Sequence, residues 1–331
     1  MSKYNKVFII CPGGLKTGGT ELLHQLSYQL NELQLESHIV YIGSRLETPI
    51  EFKKYITTKV YKECEIEDEV GNLLIVPESY VEYVGLVQKM KKSIWWLSVD
   101  NYTKDCSFKS RKEIYGQLSA IYHAVTGRIK DKTKWVLMAD FNLCQSYYSI
   151  QYLKTAFCLD DKKIIYLSDY INDCYTEEYN GVEVNNRKNV VLYNPLKGYK
   201  FTKKIMKLAR DISWVPIKNM RNDEVRKLLK SSKVYIDFGH HPGKDRFPRE
   251  AAISGCCVIT GKRGAAAYEE DLPIPKEFKF DEKQSDKKII IQTIRKCFID
   301  YETIINEYEP YRQMILSEKT KFRKDINNIF G

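Results

Sequence analysis

No apolar run in these 331 residues is longer than a strand; Val7–Cys11 and Ile94–Leu97 are among the longest. A helix that crosses a bilayer needs roughly 18 such residues, so no membrane span is expected. The opening MSKYNKVFII does not read as a secretory leader, because its apolar stretch is short and runs straight into CPGG. The expected location is therefore the cytoplasm. Nine cysteines are scattered with no C-x-x-C pair, which argues against zinc and, in a cytoplasmic chain, against a disulfide framework. They are expected as buried thiols, with Cys256 and Cys257 acting as small core hydrophobes. Internal repeats and low-complexity tracts are also missing.

The glycine cluster Gly13, Gly14, Gly18, Gly19 lacks the Lys-Ser/Thr pair of a Walker loop and does not fit G-x-G-x-x-G. ATP hydrolysis and ordinary dinucleotide binding are thus unsupported. Four glycines still permit either a tight turn or close backbone approach by a ligand, with Thr20 and Glu21 opening the following helix.

What is present is positive charge. Lys and Arg number 53 against 43 Asp and Glu, a net +10, which implies an anionic partner without naming it. Nucleotide phosphates, an anionic membrane surface and nucleic acid all qualify. With 43% hydrophobic and 29% charged residues the chain is globular, and its length suits two domains.

Strand-like runs at Val7–Cys11, His38–Ile42, Leu73–Val76, Ile94–Val99 and Phe141–Gln145 alternate with helical segments. The helices are expected at about Thr20–Leu35, at Tyr80–Lys92 and after Ser146; Leu22, Leu23, Leu26, Leu30 and Leu33 give the first of them a buried stripe. The polar stretch Ser168–Arg187 reads as a linker. A second series follows: strand Asn189–Tyr193, a turn with Pro195 and Gly198, a helix capped by Thr202, and strand Ile212–Val215. The stretch Lys287–Phe330 reads as an amphipathic helical tail. Strands alternating with helices on both sides of the linker predict two doubly wound α/β domains, 1–170 and 186–305, with a C-terminal helix at 306–331 that could cross back to the first.

The most informative stretch is VYIDFGHHPGKDRFPREAAISGCCVITGKRG, Val234–Gly264. A buried strand runs into a charged loop, a short helix opens with Pro248 and Glu250 and closes at Gly255, and a second buried strand follows. Its polar groups collect at the carboxyl edge of a parallel sheet, where such sheets bind ligands. Lys244, Arg246 and Arg249 around a helix N-terminus suit phosphate, and a neighbouring carboxylate suits a ribose hydroxyl pair.

These residues resemble glycosyltransferases of the GT-B architecture: two Rossmann-like domains whose parallel sheets face each other across a cleft. The resemblance rests on GG-x-x-x-GG-T-E after the first strand, CQSYYSIQYL, IIYLSDYIN and PREAAISGCCVITGKRGAA, with Cys257 where the family usually has Pro. It is nearest to bacterial enzymes encoded with capsule or O-antigen genes. It implies a nucleotide-sugar donor, a saccharide or lipid-linked acceptor, no cofactor and no catalytic metal. Glu250 then binds the donor ribose, while Lys197, Gly198, Lys244, Arg246 and Arg249 are candidates for the diphosphate. Asp245 or the pair His240 and His241 would replace a second acidic residue, whose usual position is Pro242 here. Gly14, Gly18, Gly19, Thr20 and Gly264 complete the expected donor contacts. The acceptor proton falls to Asp100 first, then Glu21, then His123. Trp95, Trp96, Tyr102, Tyr147 and Tyr148 are read either as sugar-stacking or as core residues.

Two other readings remain: a sugar-nucleotide epimerase of the same fold, and a basic nucleic-acid-binding module. The second ranks last because no recognised nucleic-acid motif is present. The net charge and the expected substrate suggest peripheral attachment to the inner face of the plasma membrane.

Overall fold

A strand can pair in parallel with its successor only across a crossover, usually a helix, and this chain repeats that unit throughout. The computed structural model describes residues 3–177 and 179–331. Two compact units result, Met1–Asp169 with Thr320–Gly331, and Tyr170–Lys319.

In the first unit the elements are β1 (Val7–Pro12), α1 (Gly18–Glu32), β2 (Ser37–Ile42), β3 (Tyr61–Lys62), β4 (Leu73–Pro77), β5 (Lys91–Trp96), α2 (Val99–Thr103), α3 (Phe108–Tyr115), α4 (Gln117–Val125), α5 (Thr133–Met138), β6 (Phe141–Cys144), α6 (Tyr147–Phe157) and β7 (Ile164–Tyr166). All seven strands are parallel in the order β3-β2-β1-β4-β5-β6-β7. Phe8, Ile10, Leu74, Val76, Ile94 and Trp96 line one buried face of this sheet. Each such side chain contributes about 1.5–3 kcal/mol by leaving water.

The second unit contains β8 (Lys188–Tyr193), α7 (Tyr199–Leu208), β9 (Ser213–Pro216), α8 (Asn222–Ser231), β10 (Ser232–Asp237), α9 (Arg246–Ile253), β11 (Cys257–Gly261), β12 (Lys279–Phe280), α10 (Lys287–Ile299) and α11 (Tyr301–Asn306). Its parallel sheet has the order β12-β11-β10-β8-β9. The helical tail ends with α12 (Glu309–Phe330). Buried hydroxyls tie the tail to this sheet: Tyr301 donates to the Gly255 carbonyl at 2.6 Å and Tyr308 to that of Val258 at 2.9 Å.

Several local expectations change. Tyr80–Lys92 is not an α-helix: a 3₁₀ segment covers Glu78–Leu86, broken at Tyr80, whose φ of −128° is not helical. Lys91 already pairs with Leu73 in the sheet. The next strand therefore begins three residues before Ile94 and stops at Trp96, and the Ser98 side chain caps α2. Thr202 does not cap α7; Gly198 does, at φ +63°, while Thr202 lies buried inside the helix. Among the cysteines, Cys64 and Cys158 are exposed. Trp95, Trp96 and Tyr102 are core residues; the Trp95 indole N–H donates to the Leu167 carbonyl and that of Trp96 to the Asn142 side chain.

Candidate functional site

In the second sheet β8 runs to β9 on one side, and β10 then returns to the other side of β8. The strand order therefore reverses between β8 and β10, and the loops leaving their carboxyl ends flank the point where α/β sheets open for ligands. Those loops are 194–198 and 238–245.

They interlock through glycine. A Cβ on Gly198 would lie 2.3 Å from the Phe238 carbonyl carbon, and one on Gly239 would lie 2.5 Å from the Lys197 Cβ. The contact places the Lys197 ammonium 2.5 Å from Asp245 Oδ2. His241 is fully buried between two carboxylates, with Nε2 3.6 Å from Asp237 Oδ1 and Nδ1 3.6 Å from Asp245 Oδ2. Burial by itself would lower the His241 pKa, but Asp237 and Asp245 outweigh it and hold it above the ordinary imidazole value. For Asp237, burial pushes upward, yet the His241 charge, Lys197 and the Gly239 N–H leave the carboxyl below its usual range. Two carboxylates thus balance two cations, and the Lys197 end of the group reaches solvent.

Asp245 stands at the N-cap of α9 but makes no side-chain cap bond there, and Gly198, at the cap of α7, has no side chain to offer. The first-turn N–H groups of both helices open on the same sheet edge, an arrangement suited to an anion. Gly264 serves the loop from behind: it sits at φ +63°, and a Cβ there would come within 2.0 Å of the His241 carbonyl oxygen. The Ala265 N–H donates to that oxygen at 2.8 Å.

Lys244 and Arg249 do something other than the sequence suggested. Both are buried on Glu318 of α12, Lys244 Nζ at 2.7 Å from Oε1 and Arg249 Nη1 at 3.0 Å from Oε2. Arg249 also donates to the carbonyls of Lys244 and Asp245. These cations fasten the loop to the tail helix. Arg246 is half-buried at the first position of α9. Glu250, one turn further on, accepts a hydrogen bond from Tyr175, whose hydroxyl is raised well above its usual pKa by burial first and by Glu250 next.

The first unit also reverses, between β1 and β4. Its glycine turn is occupied by protein: a Cβ on Gly13 would strike the Arg45 carbonyl oxygen at 1.9 Å, and one on Gly14 would meet the Arg45 side chain at 2.8 Å. The N–H of Gly14 donates to the Glu47 carbonyl. Gly18 and Gly19 open α1, capped reciprocally by Thr17 and Thr20, and the Thr20 hydroxyl also donates to the Leu15 carbonyl. Glu21 is buried and accepts from the Tyr55 hydroxyl at 3.2 Å. Asp100 is half-buried in the first turn of α2, just past the carboxyl end of β5. His123 faces Arg111 at 2.8 Å and the Ser119 carbonyl at 3.0 Å, so it is part of the α3–α4 hairpin.

No sequence-family model matches the chain, and no curated protein matches it by sequence. Solved structures do match it in shape. A glycosyltransferase from Rickettsia africae aligns with a TM-score of 0.55 at 13% identity, covering 98% of this chain and 99% of that one. Anabaena HepE, in complex with UDP-glucose, aligns at 0.58 and 11% identity, covering 98% of each. A trehalose-phosphate synthase from Burkholderia vietnamiensis gives 0.57 at 8%, covering 98% of this chain and 96% of that one. The chain has the GT-B fold.

Within this GT-B chain, sequence reading passed over Asp237, Tyr175 and Glu78. Asp237 ends the apolar run VYID four residues before His241, a spacing that was visible. Tyr175 lay in the stretch read as linker. Glu78, at the carboxyl end of β4, is fully buried and accepts from the Leu97 N–H at 3.0 Å; burial raises its pKa. Only the sheet topology gives that position meaning. Asp237, His241 and Asp245 offer three potential metal-ligand atoms within 4.8 Å, a grouping the reading without metal did not foresee. Here Lys197 already neutralises Asp245.

Proposed function

We propose that this protein is a metal-independent glycosyltransferase. It moves a hexose or related sugar from a nucleotide donor to a saccharide or lipid-linked oligosaccharide, in building a bacterial surface polysaccharide such as capsule or O-antigen. The reading is carried by the Lys197 seat at the strand reversal of the second unit, in a fold shared over 98% of the chain with HepE, itself solved with UDP-glucose.

When the glycosidic bond to the diphosphate breaks, negative charge grows on the leaving oxygen. Lys197 and the first-turn N–H groups of α7 and α9 are arranged to stabilise that charge. Asp237, His241 and Asp245 hold the ammonium in place. Glu250, oriented by Tyr175, takes the ribose hydroxyls, and Arg246 supplies a second cation. Lys244 and Arg249 support the loop from within. Of the three candidates for the acceptor proton, Asp100 is assigned the role, because it follows the carboxyl end of β5, the sheet edge where α/β folds bind ligands. The first unit takes the acceptor side, and the protein works at the cytoplasmic face of an anionic membrane.

The test is incubation with a panel of nucleotide sugars and lipid-linked acceptors, reading release of nucleoside diphosphate. Lys197→Ala and Glu250→Ala should each lower turnover or donor affinity at least about tenfold, the scale of one lost charged contact. Unchanged turnover in both variants would sink the site. Product formed from donor without acceptor would favour the epimerase. No calorimetric heat with UDP, GDP, CDP or dTDP sugars would end the proposal.

A further inference from the structure

The α3–α4 hairpin is inside out for a protein surrounded by water. Its inner face is polar: Arg111 pairs with Asp105 at 2.9 Å and bonds Ser119 and His123, and the Lys130 N–H closes the loop onto the Asp105 carbonyl at 2.9 Å. Its outer face is apolar. Leu118, Ile121, Tyr122 and Val125 follow the i, i+3, i+4, i+7 spacing of one helix stripe, and all four are exposed, Leu118 at 85% and Val125 at 82%. Phe108 and Tyr115 add exposed apolar surface from α3. Contiguous patches of this kind mark interaction sites.

The surrounding charge indicates what covers it. Between residues 104 and 134 there are eight Lys or Arg and three Asp or Glu, with Lys109 and Lys112 exposed on α3 and Arg128 and Lys130 exposed just after α4. Arg111 lies over the Tyr115 ring at 4.5 Å and Arg128 over that of Tyr122 at 5.2 Å. An amphipathic helix with an apolar stripe and basic flanks lies in the interface of an anionic bilayer, its apolar side chains among the acyl chains and its cations among the headgroups. We infer that the α3–α4 hairpin is the element by which this protein docks on an anionic lipid surface. The inference extends the membrane part of the proposed function and rests on it for its biological setting. Vesicle binding is read without donor or acceptor, so its failure and a failure of sugar transfer are distinguishable.

The experiment is co-sedimentation of the full chain with phosphatidylcholine vesicles, with and without phosphatidylglycerol, at low and high salt. The native protein should sediment with the anionic vesicles and detach as salt rises. A Leu118→Asp/Val125→Asp variant, checked for unchanged circular dichroism and UDP-sugar binding, should lose about tenfold or more in partitioning. Lys109→Glu/Lys112→Glu should weaken binding to anionic vesicles alone. Indifference of the native protein to anionic vesicles, or native-like sedimentation of the apolar variant, overturns the inference. A native dimer that the apolar variant converts to monomer, without vesicle binding, overturns it in favour of a second copy as the occupant.

Discussion

Replacing Glu318 by Gln tests whether Lys244 and Arg249 are structural or ligand-facing. Glu318 is 4% exposed and Arg249 is fully buried, with contacts at 2.7 and 3.0 Å. At an effective dielectric of about 20 each contact carries about 6 kcal/mol of gross attraction, much of it offset by removing three charges from water. Glu318→Gln keeps the shape but leaves two buried cations sharing one neutral amide. Breaking a buried pair in this way costs about 3–5 kcal/mol, a large part of the roughly 5–15 kcal/mol that holds a domain together. With a urea m-value of about 2 kcal/mol/M, the unfolding midpoint of the second unit should fall by about 1.5–2.5 M. Urea titration followed by circular dichroism reads this directly. Replacing all three residues by Met, Met and Leu should recover part of the loss, because an apolar set carries no desolvation penalty. A midpoint change worth less than about 1 kcal/mol, the scale of an exposed pair, would refute the buried-network reasoning. Should Glu318→Gln leave stability intact while abolishing donor binding, Lys244 and Arg249 return to the ligand.

Three further outcomes are expected. His241 has a raised pKa, so its contribution to stability is complete below the unfolded value near 6.5 and is lost as pH rises through the higher folded value. Asp237 is lowered, so its contribution is present above the unfolded value and fades as pH falls through the folded one. The gap in melting temperature between native protein and His241→Gln should therefore narrow from pH 6 toward pH 9; a constant gap contradicts the buried imidazolium. Gly264→Ala places a Cβ 2.0 Å from the His241 carbonyl oxygen at φ +63°, and should lower stability by more than about 1 kcal/mol and loosen donor binding; a neutral melting curve contradicts the close approach. Chelation with EDTA should leave donor affinity unchanged, because Lys197 holds the place on Asp245 that a cation would take; a loss restored by a divalent metal would make Asp237, His241 and Asp245 a metal centre.

The parallel α/β plan was legible because β-branched runs and capped helices announce themselves locally. Ser146 ahead of α6 and the leucine stripe of α1 need no tertiary information. Tyr80–Lys92 misled because its apolar spacing also suits a 3₁₀ segment, and the pairing of Lys91 with Leu73 is set by the sheet. The charged loop at 238–249 was found from its composition, yet composition could not divide its cations. Arg246 stays half-buried at the start of α9, while Lys244 and Arg249 turn inward to Glu318, about 70 positions later in the chain. Likewise the inverted polarity of α3–α4 is invisible in a helical wheel, which shows a stripe but not the side that faces water.

Sequence by itself determined most of the strands and the longer helices, the parallel sheets and the loop where charge gathers, since these follow from local spacing and turn chemistry. Tertiary structure alone decided which charges are buried. An ion pair's role depends on the distance to its partner and on the water it has lost, and Glu318 and Asp237 acquire both only when distant segments meet.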